Sequence, residues 1–243
     1  DGAVRVLDTA AGREVAGFAV SGSPTAVSAG PGGNLYVAFV DHIEVYETSG
    51  KPLSRWQKLA GEPYITSISA GESGVWAGDA GNRVLVKYDT SGRITAVIGK
   101  KDPAKDAPGI VVPSPHLDVV AGEDGGVWAA NPGRHEIEYY TADGSRTRHW
   151  GKTSFAMEGF CGCCNPTDFA LLPDGRFVTS EKGLPRVKTY LADGSFQGVV
   201  AGTESFKPEV VGLDLAADSR GRVYVLDPSA GSVRVFAIKG EAN

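Results

Sequence analysis

The chain has 243 residues, with 33 glycines, 14 prolines, a single methionine and a formal net charge of −5. That length can bury a substantial core, and the glycine and proline content favours many short strands over helices. The acidic balance excludes a general nucleic-acid surface, which needs clustered Lys and Arg, and no apolar run approaches the ~20 residues of a membrane span.

In chain order, the first predicted elements are strands Val4–Asp8 and Glu14–Val20, joined as a hairpin. A four-strand unit then begins near Ala26. Its clearest copy runs from Thr66 to Gly99, with strands at Thr66–Ala70, Val75–Gly78, Arg83–Asp89 and Ile94–Gly99. The next copy, Asp118–Gly151, has strands near Asp118–Ala121, Val127–Ala130, Glu136–Thr141 and Arg146–Trp150. A further copy spans Asp168–Gly202. The last begins near Asp214 and supplies three strands, Gly212–Ala217, Val223–Asp227 and Ser232–Lys239.

Hairpin-forming dipeptides recur at matching places, Ser49-Gly50, Ser91-Gly92, Asp143-Gly144 and Asp193-Gly194, because glycine accepts the positive φ that such turns need. A repeat of 40–52 residues with four strands per copy is the signature of a β-propeller. The chain therefore reads as all-β, a single propeller domain over residues 1–243. Six blades with N-terminal strands missing are the preferred count, since the Val4–Val20 hairpin matches a blade's outer half. Five blades are the alternative, with Glu14–Val20 completing the last one. An incomplete ring exposes strand edges, so the missing stretch or a protein partner is expected to cover them.

The loop Asp79-Ala80-Gly81-Asn82-Arg83-Val84 resembles the signature of NHL repeats, and Asn131–Ile137 and Asp227–Val233 are drifted copies. The segment from Glu158 through the cysteines to Pro166, with Pro173–Arg176 and Ser180–Val187, is similar to a bacterial NHL subgroup that carries the same Cys-Gly-Cys-Cys-Asn-Pro insertion. The resemblance implies an NHL-type propeller with a dedicated cysteine site, and no activity.

Two links between blades are long, residues 100–115 and 151–165. They flank the same blade and are expected on one face, where long loops on a rigid scaffold carry function. The second holds the only three cysteines, Cys161, Cys163 and Cys164. Disulfides that stabilise folds close long loops, so this clustering points instead to a soft-metal or redox centre. Thiolate prefers copper, zinc or iron–sulfur centres, with copper or zinc favoured over a cluster here. Vicinal pairing of Cys163 with Cys164 is the structural alternative.

His116, His135 and His149 belong to the flanked blade and are candidate further ligands, whereas His42 reads as exposed. Asp118 and Asp168 share one inner-strand column with Ala26, Thr66 and Asp214, and they are candidate acid/base groups. Calcium in the central channel would also account for such a column, and so would hydrogen bonding to neighbouring backbone. Glu181, Lys182 and Arg186 follow nearby and suit an anionic small molecule or a salt-bridged loop. Trp76 and Trp128 read as core. The functional expectation is an extracytoplasmic (periplasmic or extracellular) propeller with a Cys/His soft-metal or redox site, its targeting segment absent from this chain, acting on a small substrate. The alternative is a non-catalytic protein- or ligand-binding module with a structural cysteine knot.

Overall fold

A computed structural model describes residues 2–237. The chain divides into two compact units: Asp1–Gly109 with Ala121–Val127 and Tyr140–Ser145, and Ile110–Val120 with Trp128–Tyr139 and Arg146–Asn243. Strands β1 (Ala3–Asp8) and β2 (Arg13–Ala19) form a hairpin. Four four-stranded sheets follow in sequence order, each running from first to last strand without a crossover. They are β3 (Ala26–Ala29) to β6 (Pro52–Arg55), β7 (Ile65–Gly71) to β10 (Ile94–Ile98), β11 (Val119–Ala121) to β14 (Arg146–Trp150), and β15 (Asp168–Leu171) to β18 (Phe196–Ala201). A three-stranded sheet closes the series, β19 (Asp214–Ala217), β20 (Val223–Asp227) and β21 (Ser232–Phe236).

Five consecutive antiparallel meanders of this kind are the blades of a β-propeller, the count of the five-bladed alternative. Glu14–Val20 does not complete the last blade as that alternative supposed. β2 pairs with β1, and the hairpin packs through Phe18 on Tyr46 of the β3–β6 sheet. The predicted continuation of the last strand to Lys239 lies outside the described residues.

The turn chemistry explains why the blades form where they do. Asp174, Asp193 and Asp218 each accept the backbone N–H two residues on, from Arg176, Ser195 and Arg220, and the adjoining Gly175, Gly194 and Gly221 take positive φ. The loop after β8 (Gly74–Asp79) is held by Asp79, which accepts from the backbone N–H of Tyr64 and Asn82 and from the Asn82 side chain. This is why an Asp and an Asn three residues apart bracket that turn.

Successive blades are joined in two repeated ways. On the inner strands, a polar side chain accepts a backbone N–H of the next blade: Ser28 from Ala70, Ser69 from Ala121, Asp118 from Phe169 and Asp168 from Leu215. At the outer end, the glycine that opens a blade's last turn sits against a bulky residue at the end of the outermost strand of the preceding unit. The pairs are Gly50 with Phe18, Gly92 with Trp56, Gly144 with Ile98 and Gly194 with Trp150. Any Cβ at Gly92 or Gly194 would stand within 2.5 Å of the indole ring, so only glycine fits there.

Candidate functional site

The second long insertion leaves β14, makes a parallel bridge between Thr153 and Phe160, and delivers the cysteine turn to the entrance of β15. Phe160 is fully buried among Trp150, Tyr190 and Phe177 and anchors the segment. Lys188 of β17 (Arg186–Tyr190) donates to the carbonyls of Met157 and Gly159. Its ammonium pairs with Glu181 at 2.7 Å, and Glu181 also takes Arg186 at 2.8 Å, all three groups being buried. Burial pulls the Lys188 ammonium below its ordinary range against the opposing pull of Glu181. The Glu181 carboxylate raises Arg186 further.

This charged triad receives Cys161. The Cys161 backbone N–H donates to Glu181, and its thiol lies 3.9 Å from the Arg186 guanidinium. Burial, reinforced by the Glu181 charge, pushes the Cys161 thiol up. Cys161 is thus a buried thiol packed against Glu181 and Arg186.

Cys163 and Cys164 are different. Cys163 is exposed and Cys164 is buried, and their sulfurs lie 2.8 Å apart. Burial works against a Cys164 thiolate, but the Cys163 S–H, the Ser114 hydroxyl and the Lys182 ammonium outweigh it and bring Cys164 below the ordinary thiol range. The same hydrogen bond and the adjoining charge push Cys163 up. The 2.8 Å contact couples the two thiols, Cys164 being drawn below the ordinary thiol range and Cys163 pushed above it. Lys182 donates to Ser114 at 2.6 Å, so Ser114 can turn its own O–H toward the sulfur.

Asn165 holds this geometry. Almost wholly buried, it donates to the carbonyls of Cys161 and Lys182 and accepts the Lys182 backbone N–H. The cysteine turn and the β16–β17 loop that carries Lys182 are thereby fixed to each other; β16 spans Phe177–Glu181. The far side of the turn rests on His135, whose Nε2 lies 2.7 Å from the Gly162 carbonyl and whose Nδ1 lies 3.0 Å from the Thr153 hydroxyl. A carbonyl only accepts, so Nε2 carries the proton and Nδ1 accepts from Thr153.

The predicted ligand set is thus dispersed. His135 spends both ring nitrogens on the turn's framework. His149 is exposed, near Glu136 at 3.9 Å. His116 is half-buried; burial and the neighbouring Lys182 charge lower it, partly offset by Asp214. Among the described residues, no group of three or more His, Cys, Asp and Glu is placed to hold a metal ion.

The aspartate column does come together. Burial, together with the charges of Asp118 and Asp214, raises Asp168 well above the usual carboxylate range, and Asp168 hydrogen-bonds Asp214. Asp118 and Asp168 also each accept an inner-strand N–H, which braces neighbouring backbone. His42, expected exposed, is buried instead, 2.5 Å from Asp41 and stacked on Phe39.

Ser114 and Asn165 are not among the predicted site residues, and Asp214 enters the prediction only as a member of the inner-strand column. Ser114 carried one legible signal, its position at the end of the first insertion beside the blade that both insertions flank. Asn165 and Pro166 were visible only as the exit of the cysteine run.

No protein-family model matches the sequence, and no curated protein is similar to it in sequence. Solved structures match its fold. A protein of unknown function from Bacteroides thetaiotaomicron superposes with a TM-score of 0.69 at 12% identity, over 96% of this chain and 63% of that one. A catalytically inactive virginiamycin B lyase from Staphylococcus aureus, solved with quinupristin, gives 0.63 at 14% identity, over 98% and 78%. A gluconolactonase from Xanthomonas campestris gives 0.58 at 14% identity, over 87% and 74%. At these identities the likeness is one of fold, and propellers of one architecture host unrelated activities.

Proposed function

We propose that Cys163 and Cys164 form a redox-active vicinal dithiol, which exchanges electrons with a disulfide of a small molecule or protein. The observation that carries this reading is the asymmetry of the pair. The two sulfurs are in contact, one is exposed, and its buried neighbour is drawn below the ordinary thiol range by the Cys163 contact, Ser114 and Lys182. Exchange requires an accessible thiol and an adjacent one to resolve the mixed disulfide.

Cys163 attacks one sulfur of the incoming disulfide, and its proton passes to the Cys164 thiolate across the 2.8 Å contact. The first partner thiolate leaves and takes that proton from Cys164. The Cys164 thiolate then attacks Cys163 Sγ, breaks the mixed disulfide and releases the second partner thiolate. The vicinal pair loses two electrons, and the partner disulfide gains them as one thiol and one thiolate, the latter taking its proton from water. Lys182 and Ser114 hold the charge on Cys164 in both half-steps. Cys161, buried against Arg186, stays out of the cycle.

Within propellers we read the chain as NHL-type, on the Asp79–Val84 loop and the cysteine segment. The chemistry suits a periplasmic or extracellular setting, where disulfides persist. The reading is tested by equilibrating the reduced protein with glutathione mixtures and alkylating the free thiols. A two-electron couple confined to Cys163 and Cys164 supports it. Three thiols alkylated in every mixture, or stoichiometric copper or zinc bound by the same cysteines in the purified protein, overturns it.

A further inference from the structure

The 151–165 insertion and the loop after β16 display apolar side chains beside the thiol pair. Phe155 is 86% exposed, more than any other large apolar residue among those described. Met157, the only methionine of the chain, and Leu184 of the β16–β17 loop are about half as exposed. Arg186 ties this surface to the cysteine turn. One guanidinium nitrogen donates to Met157 Sδ at 3.5 Å, and the other lies 3.9 Å from Cys161 Sγ. Leu184 stands two residues before Arg186 and two after Lys182, whose backbone is bonded to Asn165. Exposed Cys163 belongs to the turn that Arg186 and Asn165 hold against these residues. The display is also fixed. Ala156 N–H donates to Ser154 Oγ at 3.0 Å, Gly159 N–H to the Ala156 carbonyl at 3.2 Å, and Ser154 N–H to the Phe160 carbonyl at 3.0 Å.

We propose that the disulfide exchanged at Cys163 belongs to a polypeptide, in which a large apolar residue beside the cysteine packs on Phe155, Met157 and Leu184. This rests on the redox reading of the thiol pair and chooses between the two kinds of partner it allows. Clustered exposed apolar groups mark contact surfaces, and aromatic residues and methionine are enriched in them. The methionine thioether also adapts to differing shapes. Because the backbone bonds already hold the insertion, little further ordering is needed when a partner binds. Charge speaks against a small anionic disulfide such as that of glutathione. Lys152 pairs with Glu158 at 3.2 Å, Arg186 and Lys188 with Glu181, and Lys182 with Ser114. These four cations are already engaged and offer little to a ligand's carboxylates, whereas the apolar side chains are free to be covered.

The test follows exchange of the reduced full chain with three disulfides below saturation. Two are symmetrical peptide disulfides, of acetyl-Ala-Leu-Phe-Cys-Ala-amide and of acetyl-Ala-Ser-Ser-Cys-Ala-amide, and the third is glutathione disulfide. The apolar peptide should react about tenfold faster than the polar one, equal to ~1.4 kcal/mol. Phe155→Ser and Leu184→Ser, each checked for folding by circular dichroism, should both reduce that ratio, and the double variant should bring it close to one. Equal rates for the two peptides, or a ratio that neither substitution changes, overturns the proposal, while exchange with glutathione disulfide would still uphold the thiol reading. No exchange with any of the three overturns both. Sedimentation showing a dimer that Phe155→Ser abolishes also overturns the proposal, since the occupant would then be a second copy of the chain.

Discussion

Asn165 and Lys182 exchange two hydrogen bonds. The Lys182 backbone N–H gives to Asn165 Oδ1 at 2.9 Å, and Asn165 Nδ2 gives to the Lys182 carbonyl at 3.0 Å. Through this pair the loop after β16 is latched to the cysteine turn, and the Lys182 ammonium is delivered to Ser114 and Cys164. Four consequences can be measured.

Removing the ammonium should return Cys164 toward an ordinary thiol. In Lys182→Met, burial acts on Cys164 with less opposition. The midpoint of thiolate absorbance in the reduced protein should move to higher pH than in the wild type. Lys182→Arg should restore part of the difference, because it keeps the charge. An unchanged midpoint in Lys182→Met would remove Lys182 from the site.

Asn165→Ala leaves the Cys161 and Lys182 carbonyls and the Lys182 N–H without their partner in a buried place. Unsatisfied buried polar groups cost about 1–3 kcal/mol, which lowers Tm by ~2–4 °C per kcal/mol in a chain of this size. The thiolate midpoint should rise with it, a change that a merely destabilised fold would not produce. Calorimetry and absorbance titration on one sample check both.

Glu181 sits between Arg186 and Lys188 with no exposed area. Glu181→Ala strands two buried cations and should cost about 3–5 kcal/mol in denaturant unfolding. Because Glu181 also receives the Cys161 N–H, proteolysis of the 151–165 insertion should accelerate in this variant.

Asp168 supplies a pH dependence whose sign is fixed by its raised folded value. Its contribution to stability is fully present below the unfolded carboxylate range, near 3.9, and is lost as pH rises toward the folded value, because the unfolded state then ionises more readily. Asp168→Asn keeps an oxygen for the Leu215 N–H and cannot ionise. Unfolding free energies at pH 4 and pH 7 should differ less in the variant than in the wild type.

The blades were readable because their signals are local. Gly50, Gly92, Gly144 and Gly194 each require a turn, and the strands between them follow by alternation. The blade count was harder, since Val4–Val20 has the sequence of an outer strand pair, and only packing shows β2 against Tyr46. In the site, the three cysteines announced a centre, but their division into one buried thiol and one coupled pair depends on Glu181 at the end of β16, Arg186 at the start of β17, Lys182 in the loop between them and Ser114 of the first insertion. His135 shows the limit most clearly. Its placement on the cysteine-bearing side was legible, yet its ring faces the Gly162 carbonyl and Thr153, a choice made by tertiary geometry.

The most direct measurement of the thiol reading is peptide mapping after oxidation of the reduced protein with glutathione disulfide and rapid alkylation. The predicted result is a single Cys163–Cys164 disulfide with Cys161 alkylated only on unfolding. A disulfide that includes Cys161, or a stable mixed disulfide on Cys163 that Cys164 does not resolve, would contradict it.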